Sequence, residues 1–242
     1  MDNTLLNYMN RRFGEEGKKK SASGFKIAGP VITISREVGC SGIKLGRQLA
    51  EALNKSVFCK QWQVISKEVL NESAKELKVK PEKVDRIFSS QEHFTFDEIL
   101  AAFSDKYYKS NRVITKTVRE VIHNFASDGC CIIVGRAGHL IASDIDNALH
   151  VRLEAPISWR VDVIAANKDM IKSDALKYIS ETEKEREAFR DHYMKNRNER
   201  ELFDLTINVS RFTTDQVVKI ILTAFEMRGI PEKMRKSVPY FG

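Results

Sequence analysis

The sequence predicts an α/β fold, a five-stranded parallel sheet with helices on both faces. Short apolar runs rich in β-branched residues alternate with longer stretches of helical periodicity, and this alternation is typical of a buried parallel sheet. The length of 242 residues is sufficient for one well-buried core. The composition, 42% hydrophobic and 30% charged, is that of an ordinary globular protein.

The first predicted strand is the β-branched run from Val31 to Ser35, which ends abruptly at polar residues and glycines. Apolar residues at helical spacing then predict a helix from close to Gly42 to about Leu53. The segment from Ser35 to Gly46 is therefore a glycine-containing connection between a buried strand and a helix.

Further strands and two insertions complete the predicted architecture. The other buried strands are expected at Ser56 to Cys59, Cys130 to Val134, Leu149 to Leu153, and Leu205 to Val209. Residues 60–127 carry apolar side chains at helical spacing, which predicts a helical insertion. Residues 167–200 form a second helical insertion that is dense in charge, and such a helix is more often a solvated face than a site.

The predicted organisation is one folded domain, residues 29–230, between two tails. Residues 1–28 include the run Lys18 to Lys20 and are expected to form a flexible basic N-terminal extension. Residues 231–242 are expected to form a C-terminal tail.

The net charge and the cysteines limit the possible partners and the possible cellular compartment. A formal net charge of +7 favours an anionic partner, which leaves nucleotides, nucleic acid and an acidic membrane face as alternatives. No apolar run reaches the length of about 18 residues that a membrane span needs, so no membrane partner is expected. No nucleic-acid motif is present, which ranks nucleic acid last. The four cysteines show no metal-ligand spacing, so reduced thiols and a cytoplasmic location are expected.

The connection after the first strand has the features of a phosphate-binding loop. Glycines let the backbone curl and aim successive N–H groups inward, and the N-terminus of the following helix adds partial positive charge. Glycines needed for packing alone are the other interpretation. The candidate loop residues are Ser35, Arg36, Gly39, Cys40, Ser41, Gly42, Ile43 and Lys44.

Cys40 in this loop and two histidines later in the chain each have a functional and a structural interpretation. Cys40 lies near a helix N-terminus, a setting that can lower a thiol pKa, but a small residue filling a tight turn is the favoured reading. His139 and His150 lack a second ligand or a nucleophile at suitable spacing, and both are interpreted as structural.

Several blocks of sequence resemble the cytidylate kinase-like family. The stretch ITISREVGCSGIKLGRQLAEAL resembles the family's opening strand, loop and helix, and GCCIIVGRAG, ending at Gly138, resembles its third strand and VGR turn. Looser matches follow in LHVRLEAP with Trp159-Arg160, in EKER with Phe189 and Tyr193, and in FDLTIN. The resemblance covers Val31 to about Ile221.

The resemblance implies a three-layer P-loop kinase fold in which residues 60–127 are the helical acceptor-binding insertion and residues 167–200 the helical lid. It also implies phosphoryl transfer from ATP to a nucleoside monophosphate, with CMP or dCMP as the expected acceptor and Mg²⁺ between the donor phosphates. Arg136 is expected to face the acceptor phosphate, since its planar fork donates two parallel hydrogen bonds. The implied lid cations are Lys184, Arg186 and Arg190, and the implied catalytic cations are Arg36, Lys44, Arg160 and Arg186.

The sequence departs from the general nucleotide-kinase pattern. Gly42 and Ile43 stand where the Walker loop has its lysine and its hydroxyl residue, so Arg36 or Lys44 is the candidate replacement for the missing charge. Val134 replaces an acid before the GR turn, which leaves the magnesium ligands unassigned. Two main hypotheses therefore stay open, an active phosphotransferase and a nucleotide-binding sensor or scaffold that has lost catalysis.

Overall fold

The computed structural model describes residues 28–55, 61–66, 112–194 and 199–237. Within them lies a five-stranded sheet of order β2-β3-β1-β4-β5, in which every pairing is parallel. The predicted parallel sheet is therefore confirmed. Its strands are β1 (Val31–Arg36), β2 (Gln63–Ile65), β3 (Cys131–Val134), β4 (Ala148–Glu154) and β5 (Leu205–Asn208).

Helices cover both faces of this sheet and give three layers. They are α1 (Gly42–Leu53), α2 (Arg112–Asp128), α3 (Gly138–Ile141), α4 (Ile157–Lys168), α5 (Lys172–Asp191), α6 (Thr214–Met227) and α7 (Ile230–Ser237), with short 3₁₀ turns at Glu199–Leu202 and Val209–Arg211. Leu45 and Leu49 of α1 and Phe225 of α6 join Ile32 and Ile34 of β1 in the main apolar core. The opposite face is covered by α2 and α3.

The second strand differs from its prediction. The expected strand at residues 56–59 lies outside the described residues, whereas Gln63–Ile65 pairs with β3. A helical insertion from residue 60 onward is therefore wrong at this point. Three residues that begin with a glutamine show no recognisable period, and their conformation comes from pairing with β3 rather than from local pattern.

Two other expectations need correction. Residues 231–237, predicted as part of a C-terminal tail, belong to α7. Cys40 and Cys131 are free thiols, as expected, but Cys130 is disulfide-bonded. Sequence spacing could not reveal this, because a disulfide depends on distance in space between residues that can lie far apart along the chain.

The strand order sets the position of the candidate site. β1 lies between β3 and β4, so the chain leaves β1 toward one side of the sheet and later returns to its other side. In an open parallel sheet, ligands bind at the carboxyl ends of the strands where this reversal occurs. Ile34 pairs with Val134, so the connections that follow β1 and β3 lie side by side at that edge.

Candidate functional site

The glycine loop, residues 37–41 between β1 and α1, is held closely by its own chain. Glu37 N donates to Leu153 O at 3.0 Å, Cys40 N to Glu37 O at 3.1 Å, and Gly42 N to Cys40 O at 2.8 Å. Val38 N donates to the Glu183 carboxylate of α5 at 2.6 Å. These amides are therefore already engaged inside the protein.

Gly39 has a conformational reason to be glycine. Its φ is +99°, and a Cβ added there would stand 3.1 Å from the Cβ of Arg160. The loop backbone consequently lies directly against α4, which carries Arg160, and a side chain at this position would push the two apart.

Arg160 lies between two carboxylates at the loop. Its Nε is 3.3 Å from Glu37 Oε2 and its Nη1 is 3.4 Å from Glu183 Oε1. The guanidinium also donates to Ala155 O at 3.0 Å, and its side chain is only 11% exposed. This arrangement makes Arg160 a link between the loop, β4 and α5, while its implied catalytic role stays a prediction.

The arginine pocket is a cleft of about 510 Å³ between the carboxyl ends of β1 and β3 and the side of α5. Its lining includes four arginines and two glutamates, so the local charge is net positive. These charged lining residues are Arg36, Arg136, Arg186, Arg190, Glu181 and Glu185. Ser35, also predicted at the site, lines this pocket as well.

The Arg36 side chain extends from the end of β1 past Gly42 to Gly135. A Cβ added to Gly135 would stand 2.2 Å from Arg36 Nη1, and Gly135 has a φ of +77°. The guanidinium thus occupies the space that a side chain at position 135 would need. Arg186 Nη1 donates to Arg36 O at 3.1 Å, which ties α5 to the end of β1.

Arg136 lies buried at the base of the arginine pocket. It is 8% exposed, and its guanidinium carbon is 5.5 Å from the centre of the Phe189 ring. Gly135, Arg136 and Ala137 all have positive φ, at 77°, 53° and 51°. Such backbone is costly for residues other than glycine and is found where a fixed geometry is needed, as at binding sites.

His139 and Phe189 line the pocket, and each packs against another aromatic residue behind it. His139 is 2% exposed and its ring centre is 4.5 Å from that of Phe203. Tyr193 packs against Phe189 at 5.3 Å. Burial raises the pKa of Tyr193 although the positive charge of Arg136 acts to lower it, so this side chain stays a neutral phenol.

Sequence reasoning missed most of the α5 wall. The pocket residues of α5 recur at helical spacing, as Tyr178, Glu181, Thr182, Glu185, Arg186, Phe189 and Arg190. A search for a mixed polar and aromatic stripe with period 3.6 would have found them. His139 was interpreted as structural; it stacks on Phe203 and also lines the pocket.

Other predicted site residues lie elsewhere. Lys44 and Lys184 are exposed and do not line the arginine pocket, and neither do the loop residues Cys40, Ser41 and Ile43. Their implied roles, and those of Gly39 and Gly42, stay predictions. Burial raises the pKa of Cys40 to about 12, helped by the charge of Glu37, so the favoured reading of a small residue filling a turn agrees with its surroundings.

Two negative findings concern the described part of the chain. No group of three or more His, Cys, Asp or Glu side chains in it could hold a metal ion by itself. None of its helices is long and apolar enough to cross a bilayer.

Several solved structures are similar to this chain at low sequence identity. The chain is similar to a crystal structure of an uncharacterized protein from Eubacterium ventriosum, with 20% identity, a TM-score of 0.57, and coverage of 81% of this chain and 98% of that one. Shikimate kinases from Bacteroides thetaiotaomicron (11% identity, TM-score 0.45, covering 81% and 98%) and from Acinetobacter baumannii in complex with shikimate (13%, 0.43, 81% and 93%) are more distant. No curated protein is detectably similar.

The family assignment rests on a match along most of the chain. The model of the cytidylate kinase-like family matches residues 31–211, which run from the first residue of β1 to the last residue of the 3₁₀ turn after β5. This range includes the glycine loop, the arginine pocket and the helical pair α4–α5. The chain therefore belongs to the cytidylate kinase-like family.

Proposed function

We propose that the chain is a nucleoside monophosphate kinase-like phosphotransferase that transfers a phosphoryl group from ATP, with CMP or dCMP as the acceptor. The observation that carries the proposal is the arginine pocket, in which guanidinium groups from β1, the β3 turn and α5 converge at one edge of the sheet. Phosphoryl transfer depends on charge neutralisation and alignment, and convergent cations supply both.

Arg136 is the group best placed to bind the acceptor phosphate. Its backbone is held in a strained turn, and Phe189 lies over its guanidinium, so the side chain is preorganised. Arg36, directed to the same pocket past Gly135, would bind a second oxygen of the acceptor phosphate or the phosphoryl group in transfer. Arg186 and Arg190 would close the pocket from α5.

ATP would bind with its phosphates at the glycine loop and the N-terminus of α1. The donor set there fits a nucleotide-bound Mg²⁺, since that ion takes most ligands from phosphate and water and needs only one or two carboxylates. Glu37 is the loop carboxylate that would serve, through Oε1, because its Oε2 accepts from Ala155 N at 3.0 Å and lies 3.3 Å from Arg160 Nε. The ion would neutralise charge on the donor phosphates, and the protein residues would align acceptor and donor.

One observation favours the second function, a nucleotide-binding sensor or scaffold without turnover. Val38 N is already bound to Glu183, and Gly42 and Ile43 provide neither the lysine nor the hydroxyl of a Walker loop. A chain with these features could bind a nucleotide and still transfer nothing.

A cytoplasmic location is proposed with the enzymatic function, because ATP and nucleoside monophosphates are available there. The disulfide at Cys130 weighs against it, since stable disulfides are rare in that compartment. Mass spectrometry of the protein alkylated at lysis would show whether Cys130 is oxidised in the cell.

The test is ADP formation from ATP and Mg²⁺ in the presence of CMP, dCMP, UMP, AMP or GMP. We expect formation that depends on CMP or dCMP. Arg136→Lys keeps the charge but loses the two-pronged hydrogen bonding, so the acceptor KM should rise by about tenfold or more. Arg211→Lys, at an exposed position outside the pocket, should leave KM unchanged.

The two functions separate in one further measurement. Absence of transfer to every monophosphate rejects the phosphotransferase, and calorimetric titration with ATP then decides the alternative. Binding without turnover supports the sensor or scaffold, whereas absence of binding rejects that function too.

A further inference from the structure

Val38 of the glycine loop contacts the helical pair α4–α5 through both its side chain and its backbone. The Val38 side chain is 4% exposed and packs in a small apolar cluster with Val161, Ile164, Ala175 and Ile179, all from that pair. Its amide donates to a carboxylate of the same pair. Both the backbone and the side chain of Val38 are therefore bound to α4–α5.

The acceptor of that amide has the chemistry of a phosphate oxygen. Glu183 Oε1 is an anionic oxygen that lies 2.6 Å from Val38 N and 3.4 Å from Arg160 Nη1. A backbone N–H and a guanidinium on one oxygen are the contacts that a loop between a strand and a helix typically offers to phosphate. Hydrogen bonds of this charge-assisted kind are among the stronger ones in proteins.

We propose that Glu183 is an internal competitor of the donor nucleotide for the glycine loop. A phosphate oxygen of ATP would replace the Glu183 carboxylate on Val38 N, and one of the contacts that hold α5 to the loop would be lost in the same event. The inference rests on the proposed function in one respect, since it assumes that the donor phosphates bind at this loop.

The exchange leaves no buried charge without a partner. When Glu183 leaves, Arg160 keeps Glu37 at 3.3 Å and Ala155 O at 3.0 Å. The Glu183 side chain is already 31% exposed, so water can solvate it once it is displaced. Val38 N exchanges one anionic acceptor for another. The step therefore avoids the free-energy cost of leaving a buried ion without a partner.

The same event would reshape the arginine pocket. α5 carries Glu183 toward the loop and also carries Arg186, whose Nη1 donates to Arg36 O at 3.1 Å. Release of Glu183 therefore frees one of the contacts that hold α5, with its pocket-lining Phe189, against the end of the sheet. Binding of the donor nucleotide would in this way change the site proposed for the acceptor.

The test compares Glu183→Ala and Glu183→Gln with the same substitutions at Glu187, an exposed residue on the same helix. ATP with Mg²⁺ is titrated calorimetrically, without acceptor. We expect the Kd for ATP to fall about fivefold or more in Glu183→Ala, corresponding to loss of roughly one hydrogen bond to a charged group. The Kd for ATP should fall less in Glu183→Gln, because a neutral amide oxygen still competes for Val38 N. Both Glu187 variants should have the same Kd for ATP as the unmodified protein.

Hydrogen exchange at the Val38 amide provides a second measurement that needs no nucleotide. Exchange should be faster in Glu183→Ala than in Glu187→Ala, and ATP should slow it in both. If Glu183→Ala does not fold, Glu183→Gln carries the comparison, because an amide retains the shape and one acceptor oxygen.

The outcomes separate this inference from the proposed function. The inference is overturned if the Glu183 variants bind ATP no more tightly than the Glu187 variants. The contact of Glu183 with Val38 N then only holds α5 to the loop. Tighter ATP binding without any transfer to a monophosphate supports the competitor and rejects the phosphotransferase. Turnover with a Kd for ATP that is unchanged in the Glu183 variants supports the phosphotransferase and rejects the competitor. Absence of ATP binding in every variant overturns both the phosphotransferase and the competitor.

Discussion

At the scale of single residues, Gly135 decides where the Arg36 side chain lies. Arg36 comes from the last position of β1, and the missing side chain at position 135 opens the space that its guanidinium enters. The sequence suggested Arg36 as a replacement for the Walker lysine on the donor side. Its guanidinium lies beside Gly135, and Arg36 lines the arginine pocket together with Arg136, while its implied catalytic role stays a prediction.

Gly135→Ala should therefore displace Arg36 from the arginine pocket. The new Cβ would stand 2.2 Å from Nη1, and the positive φ is costly for alanine as well. We expect affinity for CMP, measured by calorimetry, to fall by about tenfold or more through loss of a charged hydrogen-bond donor.

Gly229→Ala is the matched control for this experiment. Its φ is +65°, and the nearest atom to an added Cβ is 3.9 Å away. Both variants should lose about 1 kcal/mol of unfolding free energy through backbone strain, but only Gly135→Ala should lose affinity. The role assigned to Gly135 is wrong if the two variants bind CMP equally well.

At the scale of secondary structure, the sequence predicted elements whose burial is continuous or periodic. β1 and β3 are continuous buried runs, β4 and β5 alternate between more and less buried positions, and α1 shows a clear apolar stripe, so local pattern was enough. β2 could not be found, since three residues carry no period and only pairing with β3 makes them a strand. Residues 167–200 were recognised as charged and helical, but which face of α5 meets the pocket depends on how α4–α5 packs.

Val38→Ala should loosen the helical pair α4–α5 without unfolding the domain. Val38 contributes the loop's side chain to the small cluster of that pair, and truncation would leave a cavity there. We expect faster hydrogen exchange in α4 and α5, together with a loss of about 1–2 kcal/mol in unfolding free energy.

The control is Val217→Ala, at a valine of α6 that is 1% exposed and packs in the main core. That variant should lose similar global stability but show no selective change in α4–α5. Equal exchange in α4–α5 for the two variants would mean that Val38 does not hold this pair to the loop.

At the scale of the whole molecule, the sign of the net charge was predictable from the sequence, but the positions of the charged side chains in the fold were not. The net charge of +7 indicated an anionic ligand, yet Arg36, Arg136 and Arg186 come together only through the strand order β3-β1-β4 and the packing of α5. Residues separated by 100 and 50 positions share no local signal. The resemblance to a family supplied what composition and periodicity could not, and it did so through the VGR turn.

The pH dependence of stability is expected to depend on His150, which links three strands and a helix. Its Nδ1 lies 2.8 Å from Thr33 Oγ1 of β1, and its backbone N donates to Asp204 Oδ2 at 2.7 Å. Asp204 in turn accepts from Arg228 at the end of α6. Burial lowers the pKa of His150 from 6.5 to about 4; Asp204 acts to raise it, while His139 and Arg228 act to lower it further.

Acidification should therefore destabilise the fold through this residue. Between pH 6.5 and about 4 the unfolded chain binds a proton at His150 that the folded chain does not bind. The unfolding free energy should fall in that window by at most about 1.4 kcal/mol per pH unit from this group, while above pH 7 His150 contributes no slope.

His150→Gln removes the titration but keeps a polar side chain for Thr33. Urea unfolding of both proteins from pH 7.5 to 4.5 should give a stability difference that is constant above pH 7 and shrinks steadily below it. Parallel curves over the whole range would mean that His150 is protonated as readily in the folded state as in the unfolded one.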